Sequence, residues 1–197
     1  MTSNVNTPKV PYANLNQDLI DGCKKGDQKA QFQIYKMYYK AMYNTSLRLL
    51  NNPMEAEDIM QESFLSAFEK IETYPGTVSF GAWLKKIVIN QSIDFIRKER
   101  NVIFEDIDSF WKEDHYPIDD STKVNETEIK VDEVKDAIKR LPDGCRIIIT
   151  LYLLEGYNHQ EIGELLSISP VTASSQFSQA KHMLVRELSG NLANLHW

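Results

Sequence analysis

Residues 158–181 read NHQEIGELLSISPVTASSQFSQAK, and their spacing predicts two short helices around a tight turn. Asn158 and Glu161 stand three apart, the pattern of a capping box in which each side chain satisfies an orphan backbone N–H at a helix start. Ile162, Leu165 and Leu166 then share one helical face. Ser167–Ile168 supply the turn. Ser169 suits the cap of a second helix, and Pro170 suits its first turn, where no N–H is needed. Ala173, Phe177, Ala180 and Leu184 keep helical spacing beyond it, and small polar residues fill the free face. These features describe a helix-turn-helix, a motif that lays its second helix in a DNA major groove.

Upstream, Ile147–Leu154 is nearly all apolar and ends at Glu155-Gly156, a C-cap signal. The β-branched Ile147–Ile149 make a strand the competing reading; the helical surroundings favour helix. Leu141-Pro142-Asp143-Gly144 stops an earlier helix expected over 125–140. Residues 101–136 hold twelve acids and four bases, a net of −8, and their first part lacks sustained apolar periodicity. That composition suits a linker better than a core. Residues 18–100 contain few helix breakers. Helices are expected over about 17–25, from Gly26-Asp27 to Leu49, over about 55–72 and over 80–100, with a loop at 74–79. Asn51-Asn52-Pro53 ends the long helix, because a residue before proline avoids helical geometry. The expected fold is therefore all-α: two small helical domains joined by an acidic linker, the second ending in the helix-turn-helix. The boundaries are a tail at 1–17, a helical domain at 18–100, the linker at 101–126, the helix-turn-helix domain at 127–190 and a tail at 191–197.

Composition narrows the function classes. The chain has 197 residues, 42% hydrophobic, enough for one ordinary domain or two small ones. Its net charge of −6 is unusual for a DNA binder, since phosphate contacts demand Lys and Arg. Either the bases are concentrated locally, or another protein supplies much of the DNA affinity. Cys23 and Cys145 lie far apart and the four histidines are scattered, so no metal site, no cofactor and a reducing cytoplasm are expected. Nothing assembles into a nucleophile–base pair or a phosphate-binding glycine loop, so the chain reads as a non-enzyme.

The order of these parts resembles a bacterial RNA polymerase sigma factor of the extracytoplasmic-function (ECF) group, within the sigma-70 superfamily. MEAEDIMQESFLSAF at 54–68 and FGAWLKKIVINQSIDFIRKER at 80–100 are similar to the family's region two. LPDGCRIIITLYLLEGYNHQEIGELLSIS at 141–169, with the helix that follows, is similar to region four. The resemblance implies a promoter-specificity subunit that binds the polymerase core and promoter DNA, recognises the minus-ten and minus-thirty-five elements, and melts the promoter. It also implies an anti-sigma protein as a partner, and no small-molecule substrate.

Site residues follow from the same match. Asp58, Gln61 and Glu62 share adjacent parts of one helical face, and the resemblance implies that they bind the clamp helices of the largest catalytic subunit. Lys85, Lys86, Arg97, Lys98 and Arg100 give residues 80–100 a net of +3, which suits phosphate contact. The family uses this helix and the preceding loop to hold unpaired minus-ten bases, a role carried to Asn90, to Lys85, Lys86 and Arg97, and to Tyr74. Tyr74 has two readings, a ring on which a base stacks or a loop aromatic folded onto the core. Trp83 reads as core, in register with Ile87. The second helix of the motif departs from the family's Thr-Val-Lys-Ser-Arg run, since Ser or Gln replaces three expected bases. Thr172, Ser174, Ser175, Gln176, Gln179 and Lys181 are expected to face the minus-thirty-five groove, through base or phosphate contacts. The acidic linker either imitates nucleic acid along the RNA exit path or serves as a plain tether. The rival reading is a stand-alone helix-turn-helix regulator, which would bind duplex DNA specifically without polymerase.

Overall fold

The computed structural model describes residues 16–100, 102, 104 and 130–193. The expected N-terminal tail up to residue 15, nearly all of the acidic linker and residues 194–197 lie outside them. Among the described residues every regular element is helical and there are no strands. The helices are α1 (Gln17–Lys24), α2 (Gln28–Leu50), α3 (Pro53–Glu69), α4 (Phe80–Arg100), α5 (Val131–Arg140), α6 (Asp143–Ile149), α7 (His159–Leu166) and α8 (Pro170–Ala193). The chain divides into two compact units, one of residues 1–47 and 52–92, the other of residues 48–51 and 93–197. The last turn of α2 and the last two turns of α4 thus belong to the second unit.

In the first unit, Asn52 caps α3 through hydrogen bonds from Met54 N and Glu55 N, with Pro53 in the first turn. Asn51, which belongs to the second unit, takes a left-handed φ of 55° just after α2 ends. Ile20, Ile34, Met42, Met60, Phe64, Phe80, Leu84 and Val88 form the core. Ser46 and Ser92 lie buried with their hydroxyls 3.2 Å apart, so neither buried oxygen is stranded.

In the second unit, α8 packs on α5, α6 and α7. Ile147, Ile148, Ile149 and Leu151 are fully buried. The apolar run is helical, as the surrounding pattern favours, but it changes pitch: Thr150–Leu154 form a π turn, closed by Glu155 N donating to Thr150 O at 3.0 Å. Arg146 is 3% exposed, and its guanidinium donates to Leu49 O at 3.2 Å, to Leu141 O at 3.1 Å and to Asp143. Asp143 also accepts from Arg100 at 3.0 Å. Burial alone would raise the Asp143 carboxyl; the hydrogen bonds from Arg100 and Arg146 outweigh it and hold the group below its ordinary value. Arg48 Nε donates to the buried Glu155 Oε1 at 2.9 Å.

Candidate nucleic-acid interface

The helix-turn-helix is built by local chemistry. Glu161 N donates to Asn158 Oδ1 at 3.0 Å and Asn158 N donates to Glu161 Oε2 at 2.9 Å, which closes the capping box on α7. Ser167 ends α7 in the left-handed region at φ 56°, and Ile168 N reaches back to Gly163 O at 2.9 Å. That return brings the turn against Gly163. A Cβ there would lie 2.8 Å from Ile168 O, so only glycine admits this approach. Ser169 Oγ accepts from Thr172 N at 2.9 Å and starts α8. Tyr152 stacks on His159 and both rings meet Phe177 at a tilt, with ring centroids 4.2–5.5 Å apart, which ties the π turn to α7 and α8.

The free face of α8 differs from the expected one. Ala173, Gln176, Ala180 and Leu184 are buried. Gln176 was expected in the groove; it is fully buried instead and donates to the Phe104 carbonyl. The error has a physical cause: Gln176 lies on the same side of the helix as Ala173 and Ala180, and a polar side chain can turn inward when it finds an acceptor. The Thr172 hydroxyl sits 2.8 Å from Ser169 Oγ, inside the cap. Ser174 and Gln179 are half-buried, while Ser175 and Lys181 are exposed. Val171, Ser178 and His182 are exposed too. The positions that match the family's basic residues do not include them. Counting helical steps from buried Ala173, Ala180 and Leu184 would have found them.

In the first unit, Asp58, Gln61 and Glu62 are all exposed on α3, with Leu65 beside them at 65% exposure. Ala56, Ile59, Met60, Phe64 and Ala67 bury the opposite side, so the acidic face is held on a rigid helix. Gln61, Leu65 and Phe68 also line a shallow groove against Phe32 and Tyr35 of α2. Lys86 and Asn90 are exposed one turn apart on α4, and Lys85 is half-buried.

One expected minus-ten contact is corrected. Tyr74 offers no free ring face: it is 6% exposed, packs against Phe80 and Trp83 at 5.5 and 5.4 Å, and donates its hydroxyl to Val78 O. Burying a large aromatic with its hydroxyl satisfied outweighs leaving it in solvent. Arg97 lies in the second unit, donates to Leu165 O at 3.3 Å and to Asp94 at 3.4 Å, and sits over the Phe104 ring. Its guanidinium is already engaged. Trp83 packs against the first unit's core, as its register predicts.

Burial pushes the Cys145 thiol up to about 11, and burial with the Asp27 charge raises Cys23, so neither supplies a thiolate at neutral pH. Among the described residues, no group of three or more His, Cys, Asp or Glu side chains is placed to hold a metal. No helix among them is long and apolar enough to cross a membrane.

Comparison with known proteins accounts for both units. Residues 34–102 match the Sigma-70 region 2 family and residues 132–184 match Sigma-70, region 4. The chain is 30% identical over 176 residues to the ECF RNA polymerase sigma factor SigW of Bacillus subtilis, covering 86% of this chain and 94% of SigW. It is 23% identical over 180 residues to the ECF RNA polymerase sigma-E factor of Haemophilus influenzae, covering 88% and 95% of the two chains. Its fold is similar to that of CnrH solved with the cytosolic domain of CnrY, at a TM-score of 0.52 and 19% identity over 89% of this chain and 97% of the other. It is equally similar to the sigma factor RpoE of Bartonella quintana solved with the anti-sigma factor NepR, at 0.52 and 20% over 80% and 95%. With both regions matched in order and SigW aligned over nearly its whole length, the chain belongs to the ECF sigma factors of the sigma-70 family, which are non-enzymatic subunits.

Proposed function

We propose that this chain directs bacterial RNA polymerase to promoters by splitting the task between its two units. The first anchors on the clamp helices of the largest catalytic subunit through Asp58, Gln61 and Glu62. Lys85, Lys86 and Asn90 hold melted minus-ten bases. The second reads the minus-thirty-five duplex with the exposed side of α8. The observation that carries this reading is the exposed carboxylate–amide face on α3, in a chain whose helix-turn-helix unit is short of free cations. Arg140 is paired with Glu187 at 3.0 Å, Arg146 is buried, and Lys139 is paired with Asp136 at 2.7 Å. Phosphate attraction by the second unit alone is therefore weak, and the polymerase must supply the remaining affinity. The site of action is then the cytoplasm, where the polymerase works.

Replacing Asp58 and Gln61 together by Ala tests the anchor. Both side chains are exposed, so stability should move by no more than about 0.5 kcal/mol, while affinity for purified core polymerase falls at least tenfold. Undiminished capture of the core by the double variant defeats the assignment. The Bartonella quintana RpoE structure contains an anti-sigma factor, and we extend that class of partner to this chain. Co-purification from the native host tests it.

A further inference from the structure

α8 presents one continuous exposed ridge. Val171, Ser175, Ser178 and His182 recur at intervals of four, three and four and are all exposed, so they fall on one line along the helix. The line runs opposite buried Ala173, Ala180 and Leu184. At its N-terminal end, in the turn of a recognition helix that meets base edges, stands a branched hydrocarbon: Val171 is 79% exposed. A single exposed apolar side chain is ordinary on most surfaces. Its neighbours give this one a meaning. The Thr172 hydroxyl lies against Ser169 Oγ at 2.8 Å, and the Ser178 hydroxyl donates back to Ser174 O at 3.1 Å. Both hydroxyls are turned toward their own helix, and α8 carries no Lys or Arg before Lys181. The first turn therefore leads with hydrocarbon, not with charge.

We propose that Val171 is a specificity-determining residue, packing on the C5-methyl of a thymine in the upstream promoter element; this rests on the reading of α8 given above. The major groove shows one apolar group among its base edges, the thymine methyl. Against any other edge, the valine would strip water from a donor or acceptor and return no hydrogen bond. Val171 thus favours thymine by contact and disfavours the other bases by desolvation. Sequence preference arises without the arginine–guanine pairing that the expected bases would have supplied.

The test uses the holoenzyme, the full chain with core polymerase. Promoters are first selected from a randomised library. Each thymine of the selected upstream element is then replaced by deoxyuridine, which removes only the methyl. One replacement should weaken wild-type binding about fourfold, the worth of burying one methyl-sized group. In the Val171→Ala holoenzyme, the same replacement should have a clearly smaller effect, because the shorter side chain keeps only part of the contact. Because Val171 is exposed, that variant should keep the wild-type melting temperature. Equal methyl sensitivity in both holoenzymes, or none at any thymine in the wild type, overturns the proposal while leaving promoter-directed initiation intact. A holoenzyme that selects no promoter removes the functional reading itself, and the proposal with it.

Discussion

Gly163→Ala sets two effects against each other, and the geometry decides the sign. In an open helix, alanine is favoured over glycine by up to about 1 kcal/mol. At position 163 the new Cβ would lie 2.8 Å from Ile168 O and 3.3 Å from Pro170 N, both backbone atoms. Ordinary contact needs ~3.5 Å, so the turn must move by roughly 0.7 Å. Overpacking of this kind costs about 1–3 kcal/mol. The net expectation is a loss of about 1–2 kcal/mol, or roughly 4–16 °C in the melting temperature of a unit this small. Calorimetry on the full chain reads the shift. The displaced turn also tilts α8, so initiation that depends on the upstream element should fall while core-polymerase binding stays normal. A Gly163→Ala protein as stable as the wild type, or more so, refutes the close approach and with it the geometry of the turn.

Other outcomes follow from the second unit's buried polar groups. Arg146→Met should destabilise by about 3–5 kcal/mol in denaturant titration, because it strands Leu49 O, Leu141 O and part of Asp143 in the interior. The Asp143 carboxyl is held below its ordinary value of 3.8 in the folded chain; its contribution is present above that value and lost as pH falls through the lowered one. Acid titration of stability should show this decline in the wild type and a flatter one in Asp143→Asn. Gln176→Ala should cost about 1–3 kcal/mol by leaving the Phe104 carbonyl without its donor, and it should leave base preference unchanged in a promoter selection.

What the sequence disclosed was local. The capping box at Asn158 and Glu161 and the cap at Ser169 depend on residues a few positions apart and stand as read, while the helix expected over about 55–72 starts at Pro53 and ends at Glu69. What it hid depends on distant partners. Gln176 turns inward to a carbonyl seventy-two positions away, and Arg97 finds one sixty-eight positions away. No periodicity announces such pairings. Tyr74 was legible only as a choice between solvent and core, and packing against Phe80 and Trp83 made it. The acidic face of α3 was readable because its exposure follows from the apolar spacing of Ile59, Phe64 and Phe68, although Leu65, in the same apolar set, is exposed.

The most direct test of the account is reconstitution. The purified chain, mixed with core polymerase freed of other sigma factors, should form a stable complex and start transcripts at discrete sites on the native host's genomic DNA, while the chain alone shifts no specific duplex. Failure to bind the core, or sequence-specific duplex binding by the isolated chain at comparable affinity, would contradict it.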